Sequence, residues 1–153
     1  VMTDTNGKAT HLYAYYKLKF FRDDLQGKCD SMVYNIQDSV IHLYNGPALW
    51  ASENQLTADS IKIFVSSNQI DSLKMYADAF IVSQDDTVQF NQIKGREMTA
   101  YFSKNQLRKI VVTGNAETFY YVRDEDESMI GINRSVSSSM RIMIIDNQIQ
   151  NIT

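Results

Sequence analysis

The chain holds a single cysteine, Cys29, which excludes an intramolecular disulfide. Beside it stand only His11 and His42, so no Cys/His set has zinc-ligand spacing. No structural metal and no cofactor are expected. Without a neighbouring histidine to activate its thiolate, Cys29 reads as a small buried hydrophobe. Six glycines never form a phosphate-cradling pattern. Long apolar runs are missing too: Ile142 to Ile145 is the longest aliphatic stretch, against the ~20 residues that cross a bilayer. No membrane span is expected. A cationic excess is also absent, with net charge −3 and pI near 5.3. Nucleic-acid binding relies on clustered Lys and Arg, so no nucleic-acid partner is expected. No useful length of sequence shows 3.6-residue periodicity, which predicts almost no helix. No basic-then-apolar leader opens the chain at Val1-Met2-Thr3-Asp4, so an export signal is expected to have been removed or to lie upstream.

What is present is a folding composition, 44% hydrophobic and 22% charged, at a length that suits one domain spanning residues 1–153. The strongest pattern is a repeat. Asn-Gln recurs at 68, 105 and 147, with spacings of 37 and 42 residues. Seven, five and three residues upstream stand Ile61, Ile63, Val65; Met98, Ala100, Phe102; and Met140, Ile142, Ile144. Two and five residues downstream stand Ile70 and Leu73, Leu107 and Ile110, Ile149 and Ile152, with Met75 and Val112 extending the first two rows. Apolar residues two apart with polar ones between them describe a strand with one buried face. Each unit is thus a strand, a tight turn and a returning strand, and the Asn-Gln pair marks the turn, since Asn tolerates left-handed backbone.

A shorter copy runs from Cys29 to Val40, with Met32, Tyr34 and Ile36 alternating and Asp38-Ser39 turning; Asn6-Gly7-Lys8 signals a further hairpin. The chain is expected to begin partway through a repeat, as a fragment of a longer array. Corners and further strands follow at Asn45 to Trp50, Ala77 to Val82 and Gly114 to Tyr121. The predicted fold is all-β: two facing antiparallel sheets of stacked hairpins with an apolar interior. Its terminal strands, Gln148 to Thr153 and the N-terminal hairpin, are expected to accept strand addition.

No converging nucleophile, base and orienting group is found, so the chain is expected not to be an enzyme. The acidic run Asp124-Glu125-Asp126-Glu127 lacks the spacing and glycine of a calcium loop and reads as a solvated hairpin tip; Asp85-Asp86 is weaker still. Seven Met and the aromatics near both ends, among them Tyr13, Tyr15, Tyr16, Phe20, Phe21, Tyr120 and Tyr121, suit either core packing or a groove for a flexible hydrophobic ligand.

The motif order LQGKCDSMVY, GPALW, QLTADSIKIF, then NQIKGREMTAYF with NQLRKI, resembles the OstA-like (LptA-like) family, the organic-solvent-tolerance N-terminal domain, in its Bacteroidetes-type wording, from about Leu12 to Thr153. The resemblance implies a repeat-built β-jellyroll, located in the periplasm, whose groove carries the acyl chains of lipopolysaccharide toward the outer membrane. It also implies docking to further copies or to other lipopolysaccharide-transport proteins by edge-strand stacking. The implied lining is Ile61, Ile63, Val65, Ile70, Leu73, Met75, Met98, Phe102, Leu107, Ile110, Val112, Met140, Ile142 and Ile144. Lys62, Lys74, Arg96, Lys104, Arg108 and Lys109 are candidates for pairing with phosphate at its rim, with solvated surface charge the alternative. The competing reading is a structural module with a filled core that works through its edges.

Overall fold

In the computed structural model, which describes residues 1–85 and 88–153, the alternating pattern forms twelve antiparallel strands and no helix among the described residues. They are β1 (Met2–Thr3), β2 (Ala9–Phe21), β3 (Gln26–Asn35), β4 (Val40–Tyr44), β5 (Ala48–Ala51), β6 (Asn54–Thr57), β7 (Ser60–Ser66), β8 (Gln69–Gln84), β9 (Phe90–Ser103), β10 (Gln106–Arg123), β11 (Met129–Ile145) and β12 (Gln148–Ile152). The main path runs β1-β2-β3-β4-β7-β8-β9-β10-β11-β12, with β5 bridging β3 to β6 and β6 pairing β8.

The long strands bend halfway. Left-handed pairs sit at Tyr16-Lys17 (φ 68 and 52°), Ala77-Asp78 (57 and 48°) and Gly114-Asn115 (81 and 52°), and Asn45-Gly46 (61 and 69°) turns the chain before Pro47. The pairing register shifts at the three bends within strands. Such bulges sharpen twist and let one strand leave a sheet and enter another. The sheet is thereby folded lengthwise, with a spine at the corners and a mouth where hairpin tips meet. The first layer holds the start of β2, the end of β3, β4, β7, the start of β8, the end of β9, the start of β10, the end of β11, and β12. The second holds the remaining halves with β5 and β6. One contiguous cluster of buried apolar side chains, from Leu25 to Ile144, lies between them.

Close approach at the fold line needs glycine at one point. A Cβ added to Gly95 would overlap Val112 Cγ1, so the bend of β9 leaves no room for a side chain there. The expected turns are present: Ser67-Asn68 (φ 49 and 58°), Lys104-Asn105 (50 and 59°) and Asp146-Asn147 (49 and 60°) have both central residues left-handed, the condition for the hairpin turn that matches strand twist. The shorter copy departs slightly. β3 stops at Asn35, and Ile36 joins the turn, which Asn35 closes by donating to the Asp38 carboxylate at 2.6 Å and accepting from its N–H at 3.1 Å.

Candidate functional site

The interior face of the first layer is written in cross-strand ladders. One runs Leu12, Tyr34, Ile41, Ile63, Leu73, Ala100, Ile110, Ile142, Ile152, each residue the register partner of the next. A second runs Ala14, Met32, Leu43, Ile61, Met75, Met98, Val112, Met140. Shorter pairs near the mouth, Val65 with Ile70, Phe102 with Leu107 and Ile144 with Ile149, complete the surface. All fourteen residues expected to line a groove therefore stand on one wall; thirteen belong to the buried cluster and Val65 packs against it.

The opposite wall was not identified from sequence. Its inner row runs Phe20, Gly27, Leu49, Leu56, Ile81, Ile93, Thr118, Ser135. Apolar at one end and hydroxyl-bearing at the other, it draws on β5 and β6, four residues each, and on the far halves of bent strands, which leave little local alternation to read. Phe20 lies over Gly27, where a Cβ would strike its ring. Thr118 is fully buried and its hydroxyl has no partner among the described residues.

Over its middle the interior is filled: Leu49, Leu56, Ile61, Met75 and Met98 are all buried to within 1% of fully. Between Ile81 and Ile93 on one wall and Ile110, Ile144 and Ile149 on the other remains about 10 Å³, no more than one water needs. The mouth is laced by side chains from opposite tips. Arg22 donates to the Asn68 carbonyl at 3.0 Å, Ser52 to the Asn105 carbonyl at 2.7 Å, and the Asn147 amide to Glu53 at 3.3 Å. The three Asn-Gln turns thus form one lip. These contacts also reveal a stagger: the first hairpin tip of the second layer faces the third tip of the first. The first layer overhangs at the N-terminal end and the second at the C-terminal end.

Both ends carry uncovered apolar groups. At one end Tyr15, Tyr16 and Phe21 are exposed; at the other, Ile130, Ile132 and Val136 on β11 are 63, 53 and 67% exposed. The strands beneath them, the second half of β2 and the first half of β11, end the second layer as edges, while β1 and β12 end the path of the sheet.

The titratable candidates disperse. Lys62, Lys74 and Lys109 lie on the outer face of the first layer, against the rings of Tyr76 (5.6 and 5.1 Å) and Tyr101 (4.0 Å). Arg96 sits at the spine beside Gly114. Lys104 occupies a tip at the mouth, and Arg108 follows it, bonded to Gln106. His42 also faces outward, 3.9 Å from the Tyr44 ring; burial, and then Lys62, hold its pKa below the ordinary imidazole range. Cys29 is buried, and burial and then Asp30 push its thiol up, the opposite of an activated nucleophile. In the exposed acidic tip Asp124 accepts the N–H groups of Asp126 and Ser128 at 3.0 and 2.9 Å, closing its own turn. Asp85 is held by Arg123, whose Nε lies 2.8 Å away; Asp86 lies outside the described residues. Among the described residues no group of three His, Cys, Asp or Glu is placed to hold a metal.

No protein-family model matches the chain, and no curated protein matches it. The described residues also contain no helix long and apolar enough to cross a membrane.

Proposed function

We propose that this chain is a lipid-carrying module of the periplasm that shelters lipopolysaccharide acyl chains between its two layers on their way to the outer membrane. The observation that carries the reading is the pair of apolar ladders, unbroken from β2 to β11 and β12, on a wall with no charged side chain along those rows. The resemblance of the LQGKCDSMVY to NQLRKI motif series supports the same cargo. An acyl chain in water carries a penalty of roughly 0.8 kcal/mol per CH2, which such a wall removes. Because the middle is filled, loading parts the layers. The spine is continuous backbone, whereas the mouth is held by isolated hydrogen bonds, so the mouth is the side that opens. Sugar and phosphate then stay at the lip, near Lys104 and Arg108. The uncapped edges add strands from further copies or from other transport proteins. The module carries and does not catalyse.

The filled interior favours a second reading, an assembly module that uses only its edges. Native mass measurement after incubation with lipid A separates the two. A carrier gives a lipid adduct that Met98→Glu and Ile142→Glu remove in variants whose circular dichroism stays native. An assembly module gives no adduct at any lipid concentration, but oligomers that Ile132→Lys dissociates.

A further inference from the structure

The outer face of the second layer carries a different row, one that the lipid reading does not use. Phe21, Gln26, Trp50 and Gln55 are successive register partners on β2, β3, β5 and β6, and the row continues through Val82 to Gln92 and Phe119. Aromatic or apolar side chains alternate with glutamine from β2 to β10, and Arg134 on β11 ends the row. At the mouth end this row opens into a cleft of about 480 Å³, where Trp50 and Phe90, 39 and 43% exposed, stand with Gln26 and Gln55.

The chemistry of this strip selects a ligand. The Trp50 indole donates to the Gln55 side-chain oxygen at 3.2 Å, which fixes the ring and leaves the two amide hydrogens of Gln55 as donors. An exposed flat ring beside amides suits a molecule with one apolar face and a rim of hydroxyls, which is a pyranose ring. The step between strands, about 4.8 Å, is close to the advance per ring of an extended β-linked sugar chain. A peptide strand is disfavoured, because β5 and β6 have strand neighbours on both sides and offer no free backbone edge. Charge narrows the class further. Asp23, Asp24 and Glu53 border the cleft; Arg22 pairs with Asp24 at 3.0 Å, so Asp23 and Glu53 are the carboxylates without an ion pair among the described residues, and they disfavour an anionic ligand. The Lys28 ammonium stands over the Trp50 ring, 5.9 Å from its centre and at the edge of cation–π range, so a stacking sugar displaces a weakly held side chain.

We propose that this strip binds a neutral, linear β-linked glycan chain, with Trp50 as its stacking platform. Trp50 is the only tryptophan, so its emission reports on this site alone. The protein is titrated with β-1,4-linked hexamers of glucose and of N-acetylglucosamine, and with an oligogalacturonate of equal length. A saturable emission change is expected with at least one neutral hexamer and none with the acidic one. By calorimetry, Trp50→Ala binds about tenfold more weakly or worse, Trp50→Phe keeps most of the affinity, and Tyr101→Ala on the other layer changes nothing. Silence toward both neutral hexamers, preference for the acidic one, or unchanged binding by folded Trp50→Ala each overturns the proposal. Lipid carriage is not a premise, and loss of lipid binding leaves this result untouched.

Discussion

Ser52 and Asn105 meet across the mouth, the hydroxyl of one tip donating to the carbonyl of the facing tip at 2.7 Å although 53 residues separate them in sequence. Under the proposed carrier function, with the interior behind them filled, this contact lies on the path by which an acyl chain would enter. Cysteines at both positions, in a Cys29→Ala background and joined by a short reducible cross-linker, are expected to abolish the lipid adduct. Reduction is expected to restore it. The same adduct in joined and reduced protein would show that lipid does not enter by the mouth.

The lip is built on strained positions, and that strain is measurable. Lys104 and Asn105 hold φ of 50 and 59°, a region that costs an ordinary L-residue about 1 kcal/mol and asparagine less. Asn68→Ala, at the equivalent exposed turn position with φ 58°, is expected to lower stability by about 1 kcal/mol. Lys104→Asn with Asn105→Gly, the preferred pair for this turn, should raise it by about as much. Urea denaturation followed by circular dichroism reads both, and equal midpoints for all three proteins would contradict the turn assignment.

How much of this was legible follows from which signals are local. The ladder through Ile63, Leu73, Ile110 and Ile142 is plain in sequence because alternation is a property of each strand alone, and Asn68, Asn105 and Asn147 mark turns for an equally local reason. The bend at Tyr16-Lys17 is not legible: it contains no Gly, Pro or Asn, and its left-handed backbone is imposed by the fold. Leu49, Leu56, Ile81 and Ile93 escaped notice because β5 and β6 hold four residues each and Ile81 and Ile93 lie on the far halves of bent strands, too short a run of local alternation to read. Strand parity correctly turns Lys62 and Lys74 away from the ladders, yet parity says nothing of distance from the mouth, and both stand mid-sheet on the outer face. The stagger of the layers, and with it the closure of the interior, depends on which rows meet, which no local pattern encodes.

Thr118 gives a test of the filled interior. Its hydroxyl is buried without a partner among the described residues, on a row shared with Ile81 and Ile93. Burying an unbonded hydroxyl costs on the order of 1–3 kcal/mol, and a methyl group there is close to isosteric. Thr118→Val is expected to raise unfolding free energy by about 1 kcal/mol in the urea experiment. A loss of stability would mean that the hydroxyl has a partner, such as a bound water, and that the row is wetter than its burial suggests.

His42 makes the pH dependence predictable in sign. Its Nε2 is buried without a hydrogen-bond partner among the described residues, and Lys62 is its register partner on β7. Burial first, and Lys62 second, depress its folded pKa, while the unfolded chain keeps an ordinary value of about 6.5. As pH falls the unfolded chain takes up the proton first, so this group favours unfolding progressively below about pH 6.5 and is neutral to stability above it. Stability measured from pH 8 to 5 is expected to fall across that window, and His42→Gln is expected to flatten the slope. Lys62→Gln removes the smaller cause only, so it should move the histidine's titration, followed by its Cε1–H resonance, part of the way back. A His42 titration at or above the ordinary value, or a slope unchanged in His42→Gln, would place the proton uptake on another group.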